Sequence, residues 1–501
     1  MRMETDLPAA SDRRSRRIAP AGSYMARNIV TIDDLAKHEI EGIFALADHF
    51  LEQLAPEGSH RVRGRLDLAQ NCVLATLFFE PSTRTRFSFE SAMIRLGGHI
   101  LSSADPTTTS AAKGESIADT MRVVENYCDI IVVRHPLEGA VRVAADFAQV
   151  PVINAGDGGH EHPTQTLCDL YTLRREKKRL NNLNVQLRGD LKHGRTVHSL
   201  VYGLARFGAN IITSPADGLD LPDHVVRRLA RDYNCGPVHV DGMPDDVRAI
   251  YVSHGATEQR TLPNLPLDFL IEVPRKDFRK IDIFYVTRLQ SERLGDEGHT
   301  AAYPVVDARF LRHRRYRDSR VLHPLPRVDE LDYDLDQDER AVYFKQAAYG
   351  VPVRMALLAE LLGLRDDLLS KSPPTKDYPV YGGRGGIGCP NRNCVTRHTS
   401  EQAYLVPRFW IVDTDALILQ CVYCEHETVP RCVGRTSTKR YDLDIARWTR
   451  IPLDELILFE DESAARAGGY QPYKGKARGP GPSIVSGAGA VDTRSGRPRS
   501  Q

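Results

Sequence analysis

The sequence predicts an α/β protein with two doubly wound parallel-sheet domains and a small C-terminal β module organised by cysteines. Three observations point there. Short apolar runs alternate with segments of helical period from about residue 73 to residue 362, and 501 residues exceed the size of one ordinary domain. Four cysteines also gather in two close pairs behind a Pro- and Gly-rich stretch. Steady β, α, β alternation implies parallel strands covered by helices on both faces, with ligands held by loops beyond the strands' carboxyl ends.

Taken in order, residues 1–25 carry Arg13-Arg14-Ser15-Arg16-Arg17 and no hydrophobic period, the pattern of a disordered arm. Val73 to Phe79 reads as a strand, followed by Phe89, Met93 and Leu96 at helical spacing and a Gly97-Gly98 stop. Ile117, Met121 and Val124 mark a helix, and Ile130 to Val133 and Val152 to Asn154 mark strands. A helix bearing Leu167, Leu170 and Tyr171 closes a first domain over 26–175. A second domain over 176–346 has strands at Val185 to Leu187, Ile211-Ile212, Val238 to Val240, Ile283 to Val286 and Val321-Leu322, with a helix through Val197, Val201 and Leu204. The stretch 241–270 breaks the rhythm and has no assignment. Val353 to Leu362 is a closing helix, 366–388 a linker, 389–435 the cysteine module, and 436–501 an extension and disordered tail.

Composition narrows the class. Hydrophobic residues make up 41% and charged residues 27%, as in ordinary globular proteins, and a net charge of +1 provides no global field for nucleic acid or membrane. An anion site must therefore be local. No apolar run approaches the roughly 20 residues of a membrane span, so a cytoplasmic protein is expected. Nine cysteines in so long a chain do not suggest a disulfide framework, and Cys72, Cys128, Cys168, Cys235 and Cys432 have no metal-type partner nearby in sequence.

The other four do. Cys389 and Cys394 form C-x4-C, and Cys421 and Cys424 form C-x2-C, with 26 residues between the pairs. Four thiolates so grouped suit tetrahedral Zn2+, and with every position filled by sulfur the metal is structural. A zinc-binding β module is the resulting expectation.

The local anion site lies after the first strand. Ser82, Thr83 and Thr85 place hydroxyls and unpaired amides at a helix start, where the dipole favours an anion, and Arg84 and Arg86 add charge in a geometry that can hold phosphate by paired hydrogen bonds. The surrounding run FFEPSTRTRFSFESAMIRLGG resembles the carbamoyl-phosphate signature of the aspartate and ornithine carbamoyltransferases. Further segments follow in that family's order: Arg134 to Pro136 in VRHP, His162 to Leu170 in HPTQTLCDL, Gly189 to Ser199, Thr287 to Gln290 in TRLQ, and His323 to Glu330 in HPLPRVDE. The likeness spans about residues 26 to 365.

The resemblance implies a carbamoyl-phosphate-binding domain at 26–175 with a returning helix at 347–365, and an acceptor domain at 176–346. Ornithine enzymes of the family carry a cysteine in an HCLP loop, whereas this chain has His323-Pro324-Leu325-Pro326, which points to aspartate. By the same resemblance, Ser82, Thr83, Arg84 and Thr85 hold the phosphate, while Thr85, Arg134 and His162 surround the carbonyl oxygen. Gln165 and the backbone carbonyls of Leu325 and Pro326, across a cis bond, orient the carbamoyl amine. Arg195, Arg288 and Gln290 grip the aspartate carboxylates. Lys113 and Ser110, in a loop one residue shorter than in many relatives, reach a neighbouring subunit's site, implying a homotrimer with shared sites. CPNRNC and CVYC resemble the zinc domain of a separate regulatory chain, which implies a module that joins trimers in pairs. The stretch from Leu364 to Cys389 is too short for the nucleotide-binding domain that precedes that zinc domain in relatives. No organic cofactor is expected.

Overall fold

A computed structural model describes residues 27–103, 113–239, 250–251, 280–293, 303–365, 368–370, 372–383, 385–402 and 404–473. The chain divides into two compact units, with the boundary between Val429 and Pro430.

The larger unit begins with α1 (Lys37–Leu54), whose Ile40, Ile43, Phe44, Ala47, Phe50 and Leu51 recur at helical spacing and are buried. The order then runs β1 (Val73–Phe78), α2 (Thr83–Leu96), β2 (His99–Ser103), α3 (Ile117–Val124), β3 (Ile130–His135), α4 (Ala140–Phe147), β4 (Val152–Asp157) and α5 (Pro163–Lys177). The four strands are parallel in the order β2-β1-β3-β4. The chain leaves β1 for β2 on one side and reaches β3 on the other, so the switch point lies between the carboxyl ends of β1 and β3. Gly97 ends α2 at φ 97°, and a Cβ there would lie 2.5 Å from the Leu66 carbonyl oxygen, so only glycine fits this turn.

The second sheet repeats the plan with β5 (Asn184–Gly189), α6 (Arg195–Arg206), β6 (Asn210–Pro215), α7 (Asp223–Tyr233), β7 (Val238–His239), β8 (Ile250–Tyr251), β9 (Ile283–Val286) and β10 (Arg320–Leu322). Its order is β10-β9-β5-β6-β7-β8, parallel except for β8. Here the switch point falls between β5 and β9. Helix α8 (Tyr343–Leu361) then returns to the first sheet and packs against α1, α2 and α5. It starts at Tyr343, earlier than the expected 347.

A third sheet, β11 (Val380–Gly382), β12 (Arg408–Asp413), β13 (Ile418–Cys421) and β14 (Glu427–Thr428), is antiparallel. It corrects the expected linker of 366–388, because β11 already belongs to the module. The module packs on both α/β domains. On the first, the Glu138 amide donates to the Asn393 carbonyl at 3.0 Å and the Val395 amide to the Glu138 carbonyl at 2.9 Å. A Cβ on Gly139 would meet Tyr423 at 2.6 Å, so glycine permits the close approach. On the second, Glu427 accepts from Arg227 at 2.6 Å and Arg231 at 2.9 Å on α7, and Glu425 pairs with Arg228.

The second unit, described by itself, contains β15 (Cys432–Arg435), β16 (Arg440–Asp442), β17 (Leu456–Phe459), α9 (Glu462–Ala467) and β18 (Gln471–Pro472). Its sheet order is β17-β15-β16-β18 around a core of Cys432, Tyr441, Ile457, Phe459, Ala465 and Tyr470. The boundaries shift from those expected: the extension placed at 436 begins by Cys432, which belongs to its core rather than to the zinc module, and its described residues are ordered through 473. The arm at 1–25, most of 241–270 and the tail after 473 lie outside the described residues. No described helix is long and apolar enough to cross a membrane.

Candidate active site

The switch points of the two parallel sheets open onto one cleft of about 370 Å³. From the first come the residues after β1, Ser82 to Thr85, and Arg134 near the end of β3; from the second come Arg195 after β5 and Arg288 and Gln290 after β9. His162 and Gln165 at the start of α5, and Leu325 and Pro326 after β10, complete the wall. The residues expected to bind carbamoyl phosphate and aspartate, Ser110 and Lys113 apart, therefore line one cavity; Arg86, expected to add charge to the anion site, does not line it and instead lies 3.8 Å from Glu90. Lys113 is exposed and does not line its own chain's cleft. Ser110 lies outside the described residues.

Local structure explains each placement. Ser82 is the N-cap of α2, with extended backbone, so the first amides of the helix point out of its end toward the cleft. Pro163 follows His162 at the first turn of α5, a position where a missing N–H costs nothing. The His162 amide donates to Ser199 Oγ at 2.7 Å, and its Nε2 lies 3.5 Å from Thr85 Oγ1. Leu325-Pro326 is cis, with Leu325 at φ 53°. Asp169 accepts from Gln165 at 2.8 Å, Gln346 at 2.7 Å and Tyr285 at 2.9 Å, and this fixes the Gln165 amide. Burial pushes the Asp169 carboxyl up to about 6.

The cleft is strongly cationic: six arginines (84, 134, 195, 288, 293 and 354) face two carboxylates, Glu80 and Glu292. Sequence reasoning missed Glu80. It accepts from Arg195 at 2.7 and 2.9 Å and from Arg134 at 2.8 Å, and Arg293 lies 3.7 Å away. Burial alone would raise its carboxyl, but these guanidiniums, Arg195 foremost, hold it at about 2. Arg195 is thus buried against Glu80 and the Gly158 carbonyl rather than standing open, and Arg288 is braced by Glu292. Because Glu80 follows β1 and Arg195 and Arg293 belong to the second domain, one carboxylate ties the two domains at the cleft. Its only sequence signal was its place two residues before Ser82.

Burial, then Arg134, Arg195 and Arg354, hold the His162 imidazole well below the usual histidine range. It is therefore neutral at pH 7 and can donate one hydrogen bond without acting as a cation. The sign follows: with a folded value below the unfolded one, protonation opposes folding, and the neutral ring persists as pH falls through 6.5. We expect the His162 ring signals to stay unshifted in an NMR titration between about pH 6 and 8. A midpoint inside that window would contradict the neutral assignment.

The cysteine site fits a metal. Sγ atoms of Cys389, Cys394, Cys421 and Cys424 all lie within 4.8 Å of one another, with 3.4 Å from Cys389 to Cys424 and 3.9 Å from Cys394 to Cys421. Tetrahedral Zn–S bonds of about 2.3 Å place sulfurs about 3.8 Å apart. Hydrogen bonds from Cys389, then Cys421 and Cys424, hold Cys394 well below the thiol range, while burial raises Cys421 and Cys424. Four buried sulfurs held this close together form a ligand set that suits a tetrahedral dication. The zinc is structural.

Fold and cleft together define a two-domain transferase for anionic substrates, joined to a cysteine-ligated metal module. Residues 27–175 match the family described as aspartate/ornithine carbamoyltransferase, carbamoyl-P binding domain, and 267–361 match its Asp/Orn binding domain. Residues 383–431 match the aspartate carbamoyltransferase regulatory chain, metal binding domain. The chain is 43% identical over 344 residues to an aspartate carbamoyltransferase catalytic subunit of Clostridium botulinum, covering 68% of this chain and 99% of the relative. It is 42% identical over 345 residues to that of Thermococcus gammatolerans, with the same coverage of 68% and 99%. The catalytic subunit of M. jannaschii aspartate transcarbamoylase superposes with TM-score 0.54 at 39% identity, covering 67% of this chain and 98% of that one. The Trypanosoma cruzi enzyme in complex with carbamoyl phosphate and aspartate gives 0.55 at 32%, covering 68% and 98%. The chain belongs to the aspartate/ornithine carbamoyltransferase family, with a metal domain of the regulatory-chain type in the same polypeptide.

Proposed function

We propose that this chain transfers the carbamoyl group of carbamoyl phosphate to the amine of L-aspartate, giving N-carbamoyl-L-aspartate and phosphate, an early step of de novo pyrimidine biosynthesis in the cytoplasm. The observation that carries the reading is the convergence of both sheet switch points on one cleft with a four-charge cationic excess. That excess suits a phosphate and a dicarboxylate together. It suits an amine cation poorly.

In this reading residues 26–175 with the returning helix bind carbamoyl phosphate, and 176–346 bind aspartate. Ser82, Thr83, Arg84 and Thr85 hold the phosphate at the head of α2. Thr85, Arg134 and neutral His162 donate to the carbonyl oxygen, where charge develops during attack. Gln165, held by Asp169, and the carbonyls of Leu325 and Pro326 orient the carbamoyl amine. Arg195, Arg288 and Gln290 take the aspartate carboxylates. No side chain need bond covalently to substrate: well-held reactants reach effective molarities of about 10⁵ to 10⁸ M, and the leaving phosphate can accept the amine proton.

We further propose a homotrimer in which Lys113 and Ser110 serve the neighbouring subunit's cleft, with the zinc module joining trimers in pairs. Supporting this, Lys113 is exposed outside its own cleft, and Phe87 and Ile94, seven residues apart on one face of α2, are each 53% exposed. The deciding assay compares carbamoyl transfer to aspartate and to ornithine in parallel. We expect turnover of aspartate alone; turnover of ornithine alone would overturn the assignment.

A further inference from the structure

The zinc module touches a third place in the first domain, the amino end of α3. Glu401 is 3% exposed, and both of its carboxylate oxygens lie 3.2 Å from the Ile117 amide, the first amide of the helix. Ser116 Oγ accepts from the Asp119 amide of the same first turn at 3.1 Å, so Glu401 supplies the acceptor that Ser116 leaves unprovided at Ile117. A carboxylate there also lies at the positive end of the helix dipole. The contact is braced. Tyr404 donates to Asp119 at 2.8 Å, and Arg122 lies over Tyr404 at 5.8 Å and Phe147 at 4.9 Å. Glu401 is itself held in a turn, its amide donating to the His398 carbonyl at 3.1 Å and Ser400 Oγ donating to its carboxylate at 3.1 Å.

Ile117 stands four residues after Lys113, and Lys113 to Ser116 connect them without a strand or an α-helix. Wherever α3 begins, that short segment departs. We propose that Glu401 is a positioning residue for Lys113: by capping α3 from the zinc module it fixes the base of the segment that presents the Lys113 ammonium to the neighbouring subunit. The inference rests on the reading that Lys113 serves the adjacent cleft. A residue 284 positions beyond Ile117 in sequence thereby sets aspartate binding in another chain's site. Glu401 does not line the cleft, so its effect is transmitted through the segment that carries Lys113.

The test uses the full-length chain. Glu401→Ala is expected to raise the KM for aspartate about tenfold, while the KM for carbamoyl phosphate changes less than about twofold. Glu401→Gln keeps an acceptor oxygen and should restore most of the affinity. Hybrids locate the effect. When Glu401→Ala chains are mixed with excess Arg84→Ala chains, most active clefts contain Arg84 from the former and Lys113, based on an intact Glu401, from the latter. Those clefts should show the wild-type KM for aspartate. A KM that stays raised would place the effect inside Glu401's own subunit and overturn the proposal, as would wild-type KM in both single variants at full zinc content. Mixing Arg84→Ala with Lys113→Ala chains is the control. Recovered activity there establishes sharing, and its absence despite proven mixing removes the shared-site reading and this proposal with it.

Discussion

Arg134→Ala should lower kcat by about 10²- to 10³-fold, the usual cost of removing one preorganised donor from a developing oxyanion. Arg134 is one of the three groups proposed to donate to the carbonyl oxygen, and it lines the cleft. Its guanidinium is buried beside Arg195, which together push it down to about 9, so it remains charged at pH 7. Glu80 at 2.8 Å and the Ala155 carbonyl at 3.4 Å fix its plane. The variant should still fold, because Glu80 keeps Arg195 and Arg293 as partners and is not left as an uncompensated buried charge. Arg134→Lys should recover little, since a point charge on a flexible stem cannot satisfy Glu80 and the substrate oxygen in one plane. Steady-state kinetics with both substrates check this. A fall in kcat smaller than about tenfold, or a change confined to KM, would mean that Arg134 binds rather than activates.

The second large effect is on the metal. Cys421→Ser should reduce bound zinc from about one per chain to near zero and unfold the module, because structural zinc in small domains contributes about 10 to 16 kcal/mol of binding free energy that is also folding free energy. Cys421 ends β13, so losing its thiolate releases the strand that pairs with β12 and β14. The contacts at Glu138 and α7 should go with it, and limited proteolysis should cut within 380–428. Metal analysis alongside proteolysis checks both parts. A variant that keeps stoichiometric zinc and full protease resistance would exclude Cys421 as a ligand.

The α/β plan was legible because buried parallel strands are written as continuous apolar runs, as in Ile130-Ile131-Val132-Val133. The cleft was legible through motif resemblance rather than periodicity: nothing in the spacing of Arg134 and Arg288 alone predicts that they share a cavity. Helix α1 escaped notice although its period is regular, and the fold of 430–473 escaped because its two- to four-residue strands give too short a pattern to read. Glu80 and Glu401 were invisible for another reason. A carboxylate's role depends on which cations or amides the fold brings to it, and both find their partners far along the chain.

The zinc module's contacts with Glu138 and with α7 join surfaces already linked covalently, through the segment between Leu361 and Val380. Docking is then a unimolecular equilibrium, governed by an effective concentration on the order of millimolar for a short tether rather than by the amount of protein present. Dilution that would strip a separately encoded zinc subunit from its catalytic partner leaves this one in place. Each active centre keeps its own metal module at one-to-one stoichiometry, however scarce the enzyme becomes.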